Sequence, residues 1–400
     1  MRELFCPFVK LLGFQDCPRP DRQHQDCPTE IALFRDPPHT MDGCWRTRAR
    51  LRAAKALHTT GRQTIPHQNR RVFIQQRPNG MPTLSDFGIA TETIDHVPEG
   101  HAVVKVDTLS IDAWIRTTLS DGGLHETGDL GSTIRAFGVG QVVESKDESL
   151  KEGDWVYGLL SAQTHALMPA KALTKVSPQP GIAPSAFVGP LGITTGITAW
   201  VGLIAVGNVQ AGEVVLVSGA AGAVGSCVVQ LAKARGARVI GIAGGPEKCA
   251  YLVNDIGADA AIDYKTGDVG GQIRALAPDG IDVFFDNVGG EILDAALDNL
   301  RETGGSRVVI CGAISQYQNF DDVRGPKLYL RLAERNAAML GFVVSHHAAR
   351  FGEAMAEISA LILDSKMNLR EHVVEPIDRF PDALLMLFDG SHIGNLVVRP

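Results

Sequence analysis

Two hydrophobic patterns divide this chain. Over residues 71–175 short apolar stretches at 72–75, 101–109, 138–145 and 154–160 are set apart by turn-rich pieces. They read as strands of an all-β unit of the barrel or sandwich type. Residues 189–205 shift to a helical period, with Ile197, Ala199, Trp200 and Leu203 on one side. From residue 214 onward, continuous apolar runs alternate with amphipathic segments. Strands are predicted at 214–217, 238–242, 260–262, 282–285, 307–311 and 338–343, and helices at 223–235, 246–256, 271–276, 291–300 and 326–335. This alternation predicts an α/β fold with a doubly wound parallel sheet. A helix near 350–364 and a strand at 396–399 fall outside it. They are expected to pack back on the first unit, leaving a cleft between the two.

The most telling segment joins the first predicted βα pair: Val214-Val215-Leu216-Val217-Ser218-Gly219-Ala220-Ala221-Gly222-Ala223-Val224-Gly225. A buried strand feeds a turn of small residues that opens a helix. Residues without bulk let the backbone approach a pyrophosphate, and the helix N-terminus offers free N–H groups and partial positive charge. Gly222, Ala223, Val224 and Gly225 are the predicted cradle. A tight turn with no ligand has the same spacing.

The second predicted strand reads Val239-Ile240-Gly241-Ile242-Ala243-Gly244-Gly245 and carries no acid at its tip. A site for NAD(H) commonly places one there to hold the ribose 2′-hydroxyl. Lys248 follows in the first turn of the next helix and suits a 2′-phosphate, so NADPH is the expected cofactor. The alternative for Lys248 is an ordinary solvated lysine.

The 400 residues allow two domains and a sizeable core. The net charge of −7 gives no reason to expect nucleic acid. No apolar run approaches the roughly 20 residues that span a bilayer. Charge is uneven: residues 1–72 carry +6, from 13 Lys and Arg against 7 Asp and Glu, which leaves −13 for the rest. Residues 1–67 also hold Cys6, Cys17, Cys27 and Cys44 without sustained periodicity. They are expected to be a poorly ordered extension. Wide, irregular spacing without a CxxC pair argues for free thiols there rather than zinc. Cys227, Cys249 and Cys311 read as reduced core thiols. No secretory h-region is visible near the start, and a cytoplasmic location is expected. The Arg-rich, acid-free stretch 46–71 loosely resembles an organelle transit peptide, and a true start near Met41 fits as well.

Several motifs occur in order along the chain: Asn69-Arg70-Arg71, Arg77-Pro78-Asn79-Gly80, Leu109-Ser110-Ile111-Asp112 with Arg116, Gly153-Asp154-Trp155-Val156 and Gly196-Ile197-Thr198-Ala199-Trp200. After the glycine turn come Glu247-Lys248-Cys249, Phe285-Asp286-Asn287-Val288-Gly289-Gly290 and Cys311-Gly312-Ala313-Ile314-Ser315-Gln316-Tyr317. From about residue 68 to the end, the chain resembles the zinc-independent medium-chain dehydrogenases/reductases of the prostaglandin reductase and NADPH-dependent curcumin reductase-like group. The resemblance implies a GroES-like β-barrel catalytic domain at 68–195 and 345–400, and a Rossmann domain at 196–344. It implies NADPH-dependent reduction of the C=C bond of α,β-unsaturated ketones and aldehydes, with hydride to the β-carbon and a proton to the α-carbon. A homodimer is a possible assembly. A quinone reductase and a non-catalytic NADPH-binding sensor are the competing readings.

By the same resemblance Lys248 and Tyr264 hold the 2′-phosphate. Asn287, the loop Cys311, Gly312, Ala313, Ile314, Ser315, Gln316 and Tyr317, and the stretch Phe342, Val343 and Val344 line the nicotinamide and its ribose. Tyr317 is the expected catalytic group, because a hydroxyl near the substrate carbonyl stabilises the charge that develops there. The alternatives are a loop tyrosine that only packs on the cofactor, a strand-end aromatic for Tyr264 and a turn residue for Asn287. No metal is expected: residues 68–200 contain no cysteine, and His125-Glu126 and His346-His347 read as surface histidines.

The chain departs from the family pattern on the substrate side. Ala162 and His165 stand where Trp and Tyr are usual, which predicts a wider pocket. His392 and Asn395 replace an Asn and a Lys near the end, leaving His392 to contact the cofactor. Gln318 replaces an Asn after Tyr317.

Overall fold

The computed structural model describes residues 66–318 and 320–400. The expectations for residues 1–65, including their four cysteines, lie outside the described residues. Strand β1 (His67–Ile74) forms a hairpin with β2 (Phe87–Ile94), paired residue for residue from His67 opposite Ile94 to Ile74 opposite Phe87. The long strand β3 (His101–Ser110) lies between β4 (Gly138–Ser145) on one edge and β15 (Asn395–Val398) on the other. Strands β5 (Trp155–Gly158) and β7 (Thr174–Lys175) extend the β4 side, and β6 (His165–Pro169) also pairs with β3. The C-terminal β14 (Glu371–Val374) joins through a parallel pairing with β15. The inward residues Val72, Val104, Leu109, Ile134, Leu160, Leu396 and Val398 share one buried core.

The second sheet has six strands: β8 (Val214–Val217), β9 (Arg238–Ala243), β10 (Ala260–Asp263), β11 (Val283–Asp286), β12 (Arg307–Ile310) and β13 (Ala338–Gly341). Every pairing is parallel, in the order β10-β9-β8-β11-β12-β13. Strand order therefore reverses between β8 and β11, and the crevice beyond their carboxyl ends is where such folds take ligands. The predicted α/β class and all six strands are observed, with ends shifted by at most two residues.

Helix α1 (Gly196–Trp200) widens into a π-type turn over Val201–Val206. Gly202 permits that approach, since a Cβ there would lie 2.6 Å from Phe285 and 2.8 Å from Phe342. Helix α2 (Ala223–Ala234) buries Cys227, Val228, Leu231 and Ala232 against the sheet, as its period predicts. Four helices follow: α3 (Pro246–Ala250), α4 (Val269–Leu276), α5 (Gly290–Asp298) and α6 (Arg331–Glu334). The helix expected over 326–335 is reduced to the last of these. Leu328, Tyr329 and Leu330 are exposed, so this stretch has no apolar face to dock.

Of the C-terminal pieces, α7 (Phe351–Leu363) packs on α1 and buries Phe351, Ala354 and Ile358 in the core that holds Trp200. Helix α8 (Phe380–Asp389) packs on β15 through Phe380, Ala383 and Leu384. It ends at Gly390, whose φ of +69° is the left-handed stop that glycine supplies. No helix among the described residues is long and apolar enough to cross a membrane.

Candidate cofactor and active site

The glycine turn leaves β8 at Ser218 and enters α2 at Gly222. Gly219 has φ +57°, a conformation most side chains resist. Gly225 is required by packing: a Cβ there would stand 2.4 Å from the Gly219 carbonyl oxygen. Gly222 is different. A Cβ on it would meet only that same oxygen, at 3.4 Å, and would otherwise project into open space. Gly222 thus leaves room beside the first N–H groups of α2. An anionic group fits there, drawn by the unpaired N–H groups.

Ser218 ties the turn to the neighbouring strand end. Its hydroxyl donates to Asp286 at 2.8 Å and accepts the Asn287 N–H at 2.8 Å. Asn287 in turn donates from Nδ2 to the Ser218 carbonyl at 2.7 Å. The Asp286 carboxylate also receives the N–H groups of Val288 and Gly289. Burial pushes the Asp286 pKa up, against the pull of these donors. Sequence reasoning named Asn287 but missed Ser218 and Asp286, because their partnership arises only when β8 and β11 lie side by side.

The loop after β12 is pinned to this pair of turns. Cys311 and Gly312 donate their N–H groups to the Asp286 carbonyl, Ile314 to that of Asn287, and Ser315 to that of Val288 through both backbone and hydroxyl. The next 3₁₀ turn brings Tyr317 back over the start of the loop. The Ala313 N–H donates to the Tyr317 hydroxyl at 3.2 Å, and a Cβ on Gly312 would sit 3.0 Å from that oxygen. The Tyr317 proton itself has no acceptor among the described residues. Burial raises the phenol's pKa, with Cys311 and Asp286 acting in the same direction, so Tyr317 is a neutral donor. The Cys311 thiol is pushed by burial up to about 12 and is inert. Gln316 holds the far side of the loop, accepting the Arg324 N–H. Phe342 turns its ring onto Gly202, Val344 is partly buried against the same core and Val343 is exposed.

Lys248 sits at the other end of the crevice, half-buried and without an ion-pair partner among the described residues. Burial lowers its pKa and the neighbouring Lys265 lowers it further. Lys248 and the exposed Lys265, neither in an ion pair among the described residues, leave a place for an anion. The ring of Tyr264 lies on Gly244, where a Cβ would come within 2.8 Å of it. One acid escaped the sequence reading. Asp263, at the end of β10, accepts the N–H groups of Gly245 and Lys265, and these bonds hold its pKa below the usual range. Its charge is thus held by the backbone of the same loops.

The C-terminal segment closes over the glycine turn. Gly394 donates its N–H to the Ala221 carbonyl at 2.8 Å. His392, two residues earlier, is buried with Nδ1 on the Met386 carbonyl at 3.0 Å. A carbonyl only accepts, so Nδ1 carries the proton, and Nε2 has no partner among the described residues. Burial lowers the His392 pKa, and Lys248 and His372 lower it further.

Ala162 and His165 are not at a mouth. Ala162 is fully buried in the barrel core, its carbonyl accepting from Val72 and its N–H donating to Ile134. His165 lies on β6 with its ring stacked on His67 at 5.7 Å. The small residue at 162 therefore fills barrel volume, and the wider pocket expected from it has no basis. Among the described residues, no group of three or more His, Cys, Asp or Glu could hold a metal ion.

Comparison with known proteins agrees with this architecture. A family model described as zinc-binding dehydrogenase matches residues 223–360, and one described as N-terminal domain of oxidoreductase matches residues 70–176. The 2-alkenal reductase (NADP(+)-dependent) of Nicotiana tabacum is 35% identical, covering 82% of this chain and 97% of its own length. The NADPH-dependent curcumin reductase of Escherichia coli is 31% identical, covering 83% and 97%. The chain belongs to the zinc-independent medium-chain dehydrogenases/reductases, in their curcumin reductase and prostaglandin reductase group. Among solved structures, that of CurA in complex with NADPH from Vibrio vulnificus matches this reductase with a TM-score of 0.77 and 32% identity, over 82% of this chain and 98% of that one. The zinc in the first model's description has no counterpart in the donor sets of the reductase's described residues.

Proposed function

We propose that this oxidoreductase uses NADPH to reduce the C=C bond of α,β-unsaturated ketones and aldehydes, without a metal. The observation that carries the reading is Tyr317, a neutral hydroxyl whose proton has no acceptor among the described residues, held by the Ala313 N–H on a loop pinned at the strand-order switch. The names of the alkenal and curcumin reductase relatives support it.

When bound, NADPH supplies hydride to the β-carbon of the substrate. The backbone of Gly222, Ala223, Val224 and Gly225 holds the pyrophosphate, and Lys248 with Tyr264 holds the 2′-phosphate. Asn287, the Cys311–Tyr317 loop and residues 342–344 line the nicotinamide and its ribose, and His392 Nε2 contacts the cofactor from the C-terminal segment. Tyr317 donates its proton in a hydrogen bond to the carbonyl oxygen, which becomes negative as the enolate forms. The N–H donated by Ala313 strengthens that donor. Water delivers the proton to the α-carbon.

The test is NADPH oxidation, followed by absorbance, with a panel of enones, enals, quinones and saturated ketones. Turnover of enones and enals is expected. Turnover of quinones alone moves the assignment to a quinone reductase, and NADPH binding without turnover of any compound removes the enzymatic reading.

The homodimer is part of the same proposal. Strand β13 is one of the two edges of the six-stranded sheet and leaves one row of backbone groups without a strand partner among the described residues, near the exposed Val343, Tyr329 and Leu330 in sequence. A second copy pairing there would cover them.

A further inference from the structure

Arg116 lies on the turn Ala113–Thr118 that follows β3, and its side chain is almost fully buried. Burial lowers its pKa, and no carboxylate among the described residues reaches it. Asp86, the acid whose field it feels, is committed to Gln76 and Thr83. A guanidinium buried without a counter-ion is unfavourable unless its N–H groups are used. Here they join three segments. Nη2 donates to the Gly80 carbonyl at 2.8 Å and to the Gln318 carbonyl at 3.3 Å, and Nη1 to the Ser120 hydroxyl at 3.1 Å. The guanidinium also stands 5.3 Å from the centre of the Phe320 ring. Nε has no partner.

Gln318 and Phe320 belong to the nucleotide-side loop, one and three residues after Tyr317. The Phe320 ring is 6.2 Å from the ring of Tyr317. The first turns of that loop are fixed by the Asn287 and Val288 carbonyls. The residues after Tyr317 are tied to the barrel through Arg116. Tyr317 is therefore held from both sides, and only one of them belongs to its own sheet.

We propose that Arg116 is a positioning residue for Tyr317, reaching from the barrel to fix the Gln318 carbonyl and the Phe320 ring so that the hydroxyl stays in place for substrate. The inference rests on the reading of Tyr317 as the group that stabilises the enolate. It gives the barrel a part in catalysis that does not require touching substrate or cofactor.

A double-mutant cycle in the intact protein tests it, using Tyr317→Phe, Arg116→Lys and their combination, with kcat for an enone and Kd for NADPH as readouts. Tyr317→Phe is expected to lower kcat about 100-fold. Arg116→Lys is expected to lower it about 10-fold with NADPH affinity unchanged, and to cost less than about 2-fold in the Tyr317→Phe background. Phe320→Leu removes the loop half of the tie while leaving the barrel alone, and should show the same background dependence, so the test stands if Arg116→Lys does not fold. Equal losses in both backgrounds, or a kcat loss matched by lost NADPH affinity, overturn the positioning role while leaving Tyr317 catalytic. An unchanged kcat for Tyr317→Phe overturns the catalytic reading of Tyr317 and the role of Arg116 with it.

Discussion

The Ser218 hydroxyl donates to the buried Asp286 carboxylate at 2.8 Å, joining the ends of two adjacent parallel strands at the point where strand order reverses. Ser218 also accepts the Asn287 N–H, so one side chain serves a buried acid and a buried amide together. The Asn287 N–H has no other acceptor among the described residues, and the carboxylate, which keeps the Val288 and Gly289 N–H groups, is offset by no cation there. Ser218→Ala is expected to destabilise the protein by about 2 kcal/mol, the scale of leaving buried polar groups unsatisfied. Because Asn287 and the Cys311–Tyr317 loop hang on the same strand end, NADPH affinity should fall as well. Denaturant unfolding and cofactor titration of the variant check both effects; an unchanged unfolding midpoint rules out this account of the pair.

Two glycines of one turn should fail in different ways. Gly225→Ala drives a methyl to within 2.4 Å of the Gly219 carbonyl oxygen, and the helix must shift to admit it. A loss of about 3 kcal/mol in stability is expected, at the upper end for overpacking. Gly222→Ala meets nothing closer than 3.4 Å, so the fold should hold while the methyl occupies space needed by the pyrophosphate. Its melting temperature should stay near that of the parent while NADPH affinity falls. If the two variants lose stability and affinity in parallel, the two glycines do not have separate roles.

That split was only half legible in the sequence. The pattern of apolar strands and glycines located the turn and the sheet, because buried parallel strands are apolar throughout and leave a strong signal. It could not separate Gly222 from Gly225, since the difference depends on which backbone atom faces each α-carbon. Strand β2 gave no signal, because only Phe87 and Gly88 of it are buried. Its place after a motif puts Ala162 with the pocket lining, whereas its hydrogen bonds to Val72 and Ile134 and its full burial put it in the barrel core. Arg116 was visible as a motif residue, but its reach to Gln318, 202 positions along the chain, exists only in the folded protein.

Lys248 bears on the choice between NADPH and NADH. It is half-buried beside Lys265; burial and Lys265 lower its pKa, while Asp389 and Glu247 act against them without forming an ion pair with it among the described residues. A 2′-phosphate relieves that situation, while a bare ribose hydroxyl does not. Lys248→Ala is expected to raise the KM for NADPH about 10- to 100-fold, the range for one charge-assisted contact, and to leave the KM for NADH almost unchanged. Asp263 does not compete for this lysine, because the Gly245 and Lys265 N–H groups already hold its carboxylate. Equal changes for both cofactors would remove the 2′-phosphate assignment.

His392 makes a pH-dependent prediction whose sign follows from its surroundings. Burial is the largest cause of its lowered pKa; Lys248 from α3 and His372 from β14 act the same way, while Asp389 and the Met386 carbonyl oppose them. The unfolded chain takes up this proton near pH 6.5, and the folded chain resists it. The stabilisation is therefore present above that pH and is lost as pH falls toward the lower folded value. His392→Asn removes the titration. Between about pH 7.5 and pH 5.5 the cofactor-free parent should lose more thermal stability than the variant does. A cofactor phosphate at Nε2, on the proposed contact, would favour the imidazolium, so saturating NADPH should narrow that gap in melting temperature. If parent and variant fall equally, with and without NADPH, His392 is neither the titrating group nor a cofactor contact.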